Sequence, residues 1–438
     1  MTTLSEELRD VHPGRQRLSL MLAFASTVPG VVVRLTGAEV AHPLAALLYG
    51  LAIVGAAFLL SWAAEVAQLD ISAGLAIAVL AFIAVLPEYA VDMVFAWKGG
   101  NAVEAYFPGC HPPGAGGEES ACSLALANMT GANRLLIGIG WSMVVFIAWY
   151  RWRKRGRPQR EIRLERSHSV EVSFLALATA YSLTLPLKHS ITLIDAAILV
   201  AIFVAYTVRI SRAPAEEPHL VGPARYLATF SQRGRRLSVV GLFVVAAAII
   251  LLSAERFAEA LVDTGQEFGI SKFLLVQWLA PLASETPELL VAGLYAWRLN
   301  TNAALGTLVS SKVNQWTLLV GTLPVVFAIA LGGLHGLPVD AHQRQELFLT
   351  AAQSFFALAV LATLSISTRE ALLLFSLFWA QFVIGAVVPE SVGGIERVIV
   401  AGAYLVLGAA MLVRDRAQVV PLLKDGFRTP YRELNGER

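Results

Sequence analysis

Glu88 and Glu288 each follow a proline inside an apolar run, the first running from Ile71 to Trp97 and the second from Ile270 to Trp297. The two runs are echoes. Leu86-Pro87-Glu88 returns 200 positions later as Thr286-Pro287-Glu288, and Ala96-Trp97-Lys98 returns as Ala296-Trp297-Arg298 at the same offset. Ile71-Ser72 answers Ile270-Ser271 with a slip of one residue. A carboxylate in a membrane-length segment is costly and marks a functional site by default. Its competing reading, a protonated or paired group that only helps helices pack, weakens when the feature is duplicated. Proline also removes the backbone donor that would bind the preceding turn, so each unit is expected to interrupt its helix and expose carbonyl oxygens beside a carboxylate. Such oxygens suit hard cations such as Na⁺ or Ca²⁺.

Neighbouring acids add proton chemistry. Asp92 stands four residues after Glu88 and Glu285 three before Glu288, spacings that share a helix face. Four converging acids exceed what one divalent ion needs, and like charges crowded in a low dielectric cannot all stay ionised. Some are therefore expected to carry protons. Asp92 has an alternative place, in an outer vestibule near its helix end.

The apolar block after each unit carries polar groups at mid-depth: Asn128, Thr130, Asn133 and Arg134 in the first, Thr307, Ser310, Ser311, Lys312, Asn314 and Gln315 in the second. Gly131, Ala132 and Gly306 allow close helix approach. Arg134 and Lys312 must pair, and the acids named above are the expected partners. Glu65, Glu255 and Asp195 sit at block ends and read as interfacial or locally paired, for instance with Arg256, rather than as ligands.

The blocks themselves set the frame. The chain has 438 residues, is 56% hydrophobic and 15% charged, against about 25% charged in ordinary globular domains. Apolar stretches of this length span membranes, because hydrocarbon leaves the backbone no water to bind. Spans are expected at 18–33, 43–67, 72–97, 121–150, 170–187, 191–209, 237–258, 270–298, 301–332, 346–365, 370–388 and 394–413, twelve in all. That count places the arginine-rich loops 151–169 and 210–236 and the basic tail on one face, the cytoplasmic one by the positive-inside rule, with both termini inside. Five crossings separate the starts of the two Pro-Glu spans, so the units run in opposite directions, an inverted-repeat transporter architecture. The partition reads as 1–42, a cytoplasmic segment with the first helix; 43–209, the first repeat; 210–236, a cytoplasmic loop; 237–388, the second repeat; and 389–438, an extra helix with a cytoplasmic tail.

Cys110 and Cys122 flank an outer loop, where they either pair in an oxidising exterior or remain free thiols. No zinc spacing, phosphate-binding glycine loop or Gly-x-Ser-x-Gly motif is present, and nothing supports nucleic-acid binding or enzymatic chemistry.

The duplicated units resemble the two alpha repeats of the sodium/calcium exchanger (calcium/cation antiporter) superfamily. The family pattern is roughly Gly-Thr-Ser-Leu-Pro-Glu in one helix and Gly-Asn-x-x-Gly-Ser-Asn in the next. The first unit here reads Ile83-Ala84-Val85-Leu86-Pro87-Glu88, then Ala127-Asn128-Met129-Thr130-Gly131-Ala132-Asn133. The second reads Ala283-Ser284-Glu285-Thr286-Pro287-Glu288, then Gly306-Thr307-Leu308-Val309-Ser310-Ser311-Lys312. The likeness covers about 43–388, and the added N-terminal span resembles the cation/proton exchanger branch. It implies that Glu88 and Glu288 coordinate calcium, that Ser284 takes a threonine ligand position, and that Asn133 and Lys312 take paired Asn or Asp positions of sodium or proton sites. Asn128 and Ser311 complete the candidate ion ligands. The departures are that Ala84 and Val85 lack hydroxyls, Glu285 replaces a serine, and Lys312 sets an ammonium where a ligand oxygen is expected.

The resulting expectation is an all-α polytopic membrane protein with the inverted-repeat exchanger fold, two five-helix units plus one helix at each end. It would be a multi-pass antiporter of the cell membrane, exchanging Ca²⁺ or Na⁺ for H⁺ (or Na⁺) by alternating access, with no cofactor and with inorganic cations, protons and lipid as partners. Glu88 and Glu288 would bind the ion, Glu285 and Asp92 would carry protons, and Lys312 would modulate charge. The alternative is a transport-inactive relative serving as a scaffold or ion sensor, its site neutralised by Lys312.

Overall fold

The computed structural model describes residues 13–70, 86–106, 110, 120–156, 159–213, 220–387 and 394–435. Where its residues are described, each expected span falls on a helix. Among the described residues nine helices are long and apolar enough to cross a membrane: Pro13–Thr36, His42–Ala67, Ala121–Lys154, Arg166–Leu187, Leu193–Ile210, Gln232–Phe268, Thr301–Leu331, Thr368–Gly385 and Ile395–Arg414. The other three expected spans fall on Leu86–Tyr106, Lys272–Trp297 and Ala341–Leu361. These carry the Pro-Glu acids or a run of buried amides and hydroxyls, which dilutes their apolar character. Residues 71–85, including the turn that precedes Pro87, lie outside the described residues.

The expected interruption at Pro287 does not occur. Lys272–Trp297 is one continuous helix. Hydroxyls bind the carbonyls just before the proline: Ser284 Oγ donates to Ala280 O at 3.2 Å and Pro281 O at 3.3 Å, and Thr286 Oγ1 donates to Leu282 O. Side-chain hydroxyls of this kind hold membrane helices together around proline.

The chain forms two compact units, Met1–Val94 with Ile210–Glu288 and Phe95–Arg209 with Leu289–Arg438. Each unit draws on both sequence repeats, and the divisions fall inside the two Pro-Glu helices, after Val94 and after Glu288.

In the first unit, Pro13–Thr36 and Gln232–Phe268 pack along His42–Ala67. Small residues set the crossings: a Cβ on Gly30 would lie 2.7 Å from Leu48 O, and one on Gly55 only 2.2 Å from Ser26 Oγ. Hydrocarbon supplies no hydrophobic drive between helices, so such close approaches carry the association. Loops are tied by charge. Arg235 clamps Asp70 through two hydrogen bonds of 2.7 and 2.8 Å, and Glu65 Oε2 accepts from Val221 N at 2.6 Å, a backbone partner in place of the arginine expected for such acids. Arg256 instead pairs with Glu259 at 3.1 Å.

In the second unit, short antiparallel ladders join loops that the alternating span order puts on one side. Glu161–Arg163 pairs with Ser365–Ser367, and Ser190–Ile191 pairs with Leu337–Pro338. Arg151 Nε donates to Trp297 O at 3.0 Å at the end that holds the first ladder. The segment after the last span returns to that same end. Its helix Arg416–Phe427 lies on Ser169–Ser182, with Gly426 so close that a Cβ would meet Ser173 Oγ at 2.1 Å. Arg166 grips Asp425 with bonds of 2.6 and 2.8 Å, while Arg209 donates to Gly426 O and Thr429 O and covers the Tyr431 ring.

The Arg166 guanidinium holds the Asp425 carboxyl below its usual range. A carboxylate lowered in the folded state adds stability that is fully present above its unfolded value of about 3.9 and is lost as pH falls through the folded value. Asp425→Asn is therefore expected to lower the Tm of the detergent-solubilised protein by a few degrees at neutral pH. The gap between variant and wild type should close on acidification below about pH 4, read by thermal unfolding over a pH series.

Candidate functional site

The first Pro-Glu helix places Glu88 and Asp92 one turn apart, at 4% and 1% exposure. Asp92 is thus buried with Glu88 rather than set in an open vestibule. On the second Pro-Glu helix Ser284 and Glu285 are buried and Glu288 is half-buried. The Ser284 hydroxyl hydrogen is committed to backbone carbonyls, which leaves its lone pairs as the part able to meet a cation. Among the described residues no three His, Cys, Asp or Glu side chains gather closely enough to hold a metal ion, so the four acids do not form a single acidic cage. Glu88, Asp92 and Glu285 share dryness: a buried carboxylate needs either a cation or a proton.

The polar helices of the second unit are built alike. Ala121–Leu135 runs into a π-helical segment, Leu136–Trp141, and Thr301–Asn314 into another, Gln315–Leu319. Extra-residue turns of this type often mark functional positions. Asn133 and Lys312 each stand three residues before the π segment, 179 apart in the chain. They touch. Lys312 Nζ donates to Asn133 O at 2.6 Å and to Asn133 Oδ1 at 2.5 Å. Asn133 Nδ2 is turned away, donating to Met129 O at 2.9 Å, and the Trp316 ring lies 5.4 Å from the ammonium. Lys312, Asn133 and Asn128 are fully buried and Ser311 nearly so.

Arg134 finds its ion pair in an acid that sequence reasoning passed over. Its Nη2 lies 2.7 Å from Glu346 Oε2, and Arg397 Nε lies 2.7 Å from Glu346 Oε1. The helix Ala341–Leu361 grips residue 134 a second time, Gln353 Nε2 donating to Arg134 O at 3.4 Å. This triad fixes the rotation of the helix that presents Asn133. Glu346 and Arg397 stand near the starts of the expected spans 346–365 and 394–413, and the sequence alone assigned neither a role. The usable signal was that both are acids or bases within blocks whose partners were unassigned.

Cys110 and Cys122 are joined in a disulfide with a Cα separation of 6.1 Å, and Cys122 lies against Gly99 on the first Pro-Glu helix.

Residues 42–211 and 238–386 match the model of the sodium/calcium exchanger protein family. The chain belongs to that family. Over 97% of its length, and 99% of the other chain, the exchanger is 42% identical to a protein solved as the H⁺/Ca²⁺ exchanger CAX, with a TM-score of 0.84. Native YfkE shares the fold at 13% identity, covering 89% of this chain and 100% of its own, with a TM-score of 0.56. Comparison with curated proteins gave no match. The exchanger is a multi-pass membrane protein with the inverted-repeat fold of these relatives, and its family is one of cation antiporters. The triad member Arg397 lies beyond the segments that match the family, so the last span adds a grip of its own on the helix Ala121–Leu135.

Breaking a buried ion pair from one side leaves an uncompensated charge and costs about 3–5 kcal/mol, whereas replacing both members with apolar groups is often neutral. Glu346→Ala is accordingly expected to lower thermal stability severely. The double variant Arg134→Met, Glu346→Leu should recover much of the loss, measured by thermal unfolding of the purified exchanger.

Proposed function

We propose that this exchanger moves Ca²⁺ across a cell membrane in exchange for H⁺ by alternating access. The observation that carries the reading is the pair of Pro-Glu helices with their buried acids, in a chain 42% identical along 97% of its length to an H⁺/Ca²⁺ exchanger. Glu88 and Glu288 bind the divalent ion through carboxylate oxygens, with Ser284, Asn128 and Ser311 as neutral oxygen donors, while Asn133 gives its oxygens to Lys312. Asp92 and Glu285 take up protons when the ion leaves, because dry carboxylates must be neutralised by one or the other. Competition of Ca²⁺ and H⁺ for the same buried acids couples the two flows: each loaded form neutralises the acids and permits the conformational step, and the bare charged form does not. The reaction needs no cofactor, and the partners are inorganic cations, protons and the bilayer.

Both termini face the cytoplasm in this reading. The basic loops support it, as does the return of the C-terminal segment onto Arg166 and Arg209, at the end of the second unit that carries the arginine-rich loop.

Glu288→Gln keeps the shape of the side chain and removes its charge. A lost charge–oxygen ligand is worth about 3 kcal/mol, or about a hundredfold in affinity. ⁴⁵Ca²⁺ uptake into proteoliposomes under an imposed pH gradient should therefore fall to background for Glu288→Gln and Glu88→Gln, with Tm retained. Undiminished uptake by both variants would remove these residues from the mechanism.

A further inference from the structure

Lys312 and Asn133 occupy the same position in the two repeats, each three residues ahead of a π segment. In a two-fold arrangement, a residue touches its own counterpart only on the axis that relates the copies. Lys312 and Asn133 therefore meet across the local pseudo-two-fold axis of the repeats. Its surroundings are those of a small cation: a backbone oxygen at 2.6 Å, an amide oxygen at 2.5 Å and an indole face 5.4 Å away, with full exclusion from solvent. The amide is oriented for that role, since Asn133 spends its NH₂ on Met129 O and turns its oxygen to the charge.

We propose that the Lys312 ammonium is a tethered occupant of an axial monovalent-cation site, so that this exchanger works without Na⁺ at that position. The inference rests on the Ca²⁺/H⁺ reading above and specifies its ion selectivity. A second observation agrees with it. Relative to the first repeat, the second carries Glu285 where the first has Val85, and Lys312 where the first has Asn133. The cation at this position is carried by one repeat only, so the charge that a mobile monovalent ion would bring there is built into the chain. With the ammonium gone, two buried oxygens remain aimed at one point, and an amide oxygen at position 312 would add a third hard donor for Na⁺. Lys312 is thus a specificity-determining residue: it keeps Na⁺ out by filling its place.

The test uses the purified full-length exchanger in Ca²⁺-free buffer, with Na⁺ replaced by choline at constant ionic strength. A ligand that binds only the folded state raises Tm by mass action. Wild type should show no Na⁺-specific rise in Tm and no ²²Na⁺ binding. Lys312→Asn, which makes the axial pair symmetric, should bind ²²Na⁺ and gain a Tm that climbs with Na⁺ through the millimolar range. Adding Asn133→Ala should abolish that gain. Lys312→Gln provides a second neutral variant of similar reach, and Lys312→Arg should stay indifferent to Na⁺. Na⁺ binding by wild type that disappears in Asn133→Ala overturns the proposal, and so does a folded Lys312→Asn or Lys312→Gln that ignores Na⁺. A failure of Ca²⁺/H⁺ exchange in wild-type proteoliposomes would instead strike the functional reading, and the binding arm still reports on Lys312.

Discussion

A charge buried in hydrocarbon must find its partner within the protein, and this constraint governs the chain from its helix ends to its centre. Arg134, Glu346 and Arg397 satisfy it as a closed triad, and Lys312 satisfies it on the oxygens of Asn133. These are fixed solutions: every charge has a covalently held neighbour. Glu88, Asp92 and Glu285 are just as dry, but a carboxylate can also be neutralised by something that comes and goes. An acid with a permanent partner builds structure, and an acid whose partner is a diffusible cation or proton builds a transporter.

The architecture separates the two tasks. Each compact unit takes helices from both repeats, and the division runs through the Pro-Glu helices themselves. Close glycine crossings bind the first unit, while the second is held by the Glu346 triad, the short ladders and the C-terminal segment. The last span, beyond the part of the chain that matches the family, reaches the polar helix through Arg397. Rigid support of this sort keeps Asn133 facing Lys312.

Much of the frame was legible in the sequence, because a span is signalled by length and apolarity and requires no tertiary contact to be recognised. The alternation of spans also agrees with the loops that the second unit ties together, Glu161–Arg163 to Ser365–Ser367 and Ser190–Ile191 to Leu337–Pro338. The duplicated Pro-Glu pointed to buried acids, and Glu88, Asp92 and Glu285 proved dry while Glu288 is half-buried. Other features depended on contacts that spacing does not encode. Pro287 looked like a break, yet the hydroxyls of Ser284 and Thr286, three and one residues before it, keep the helix whole. Arg134 needed a partner, and the nearest acids in sequence were not its ion pair; Glu346 is 212 residues on and arrives only through packing of Ala341–Leu361. The Lys312–Asn133 contact was likewise invisible until the two repeats were folded together, although the equivalence of their positions was readable.

Coupling is the central claim, and wild-type protein tests it directly. Proteoliposomes loaded with a pH-sensitive dye and made free of Na⁺ would receive external Ca²⁺ with no imposed pH gradient. The account predicts that Ca²⁺ entry drives protons out, so the lumen turns alkaline in step with ⁴⁵Ca²⁺ uptake, and that added Na⁺ leaves both unchanged. Ca²⁺ entry with no change in luminal pH, or entry that requires Na⁺, would contradict it.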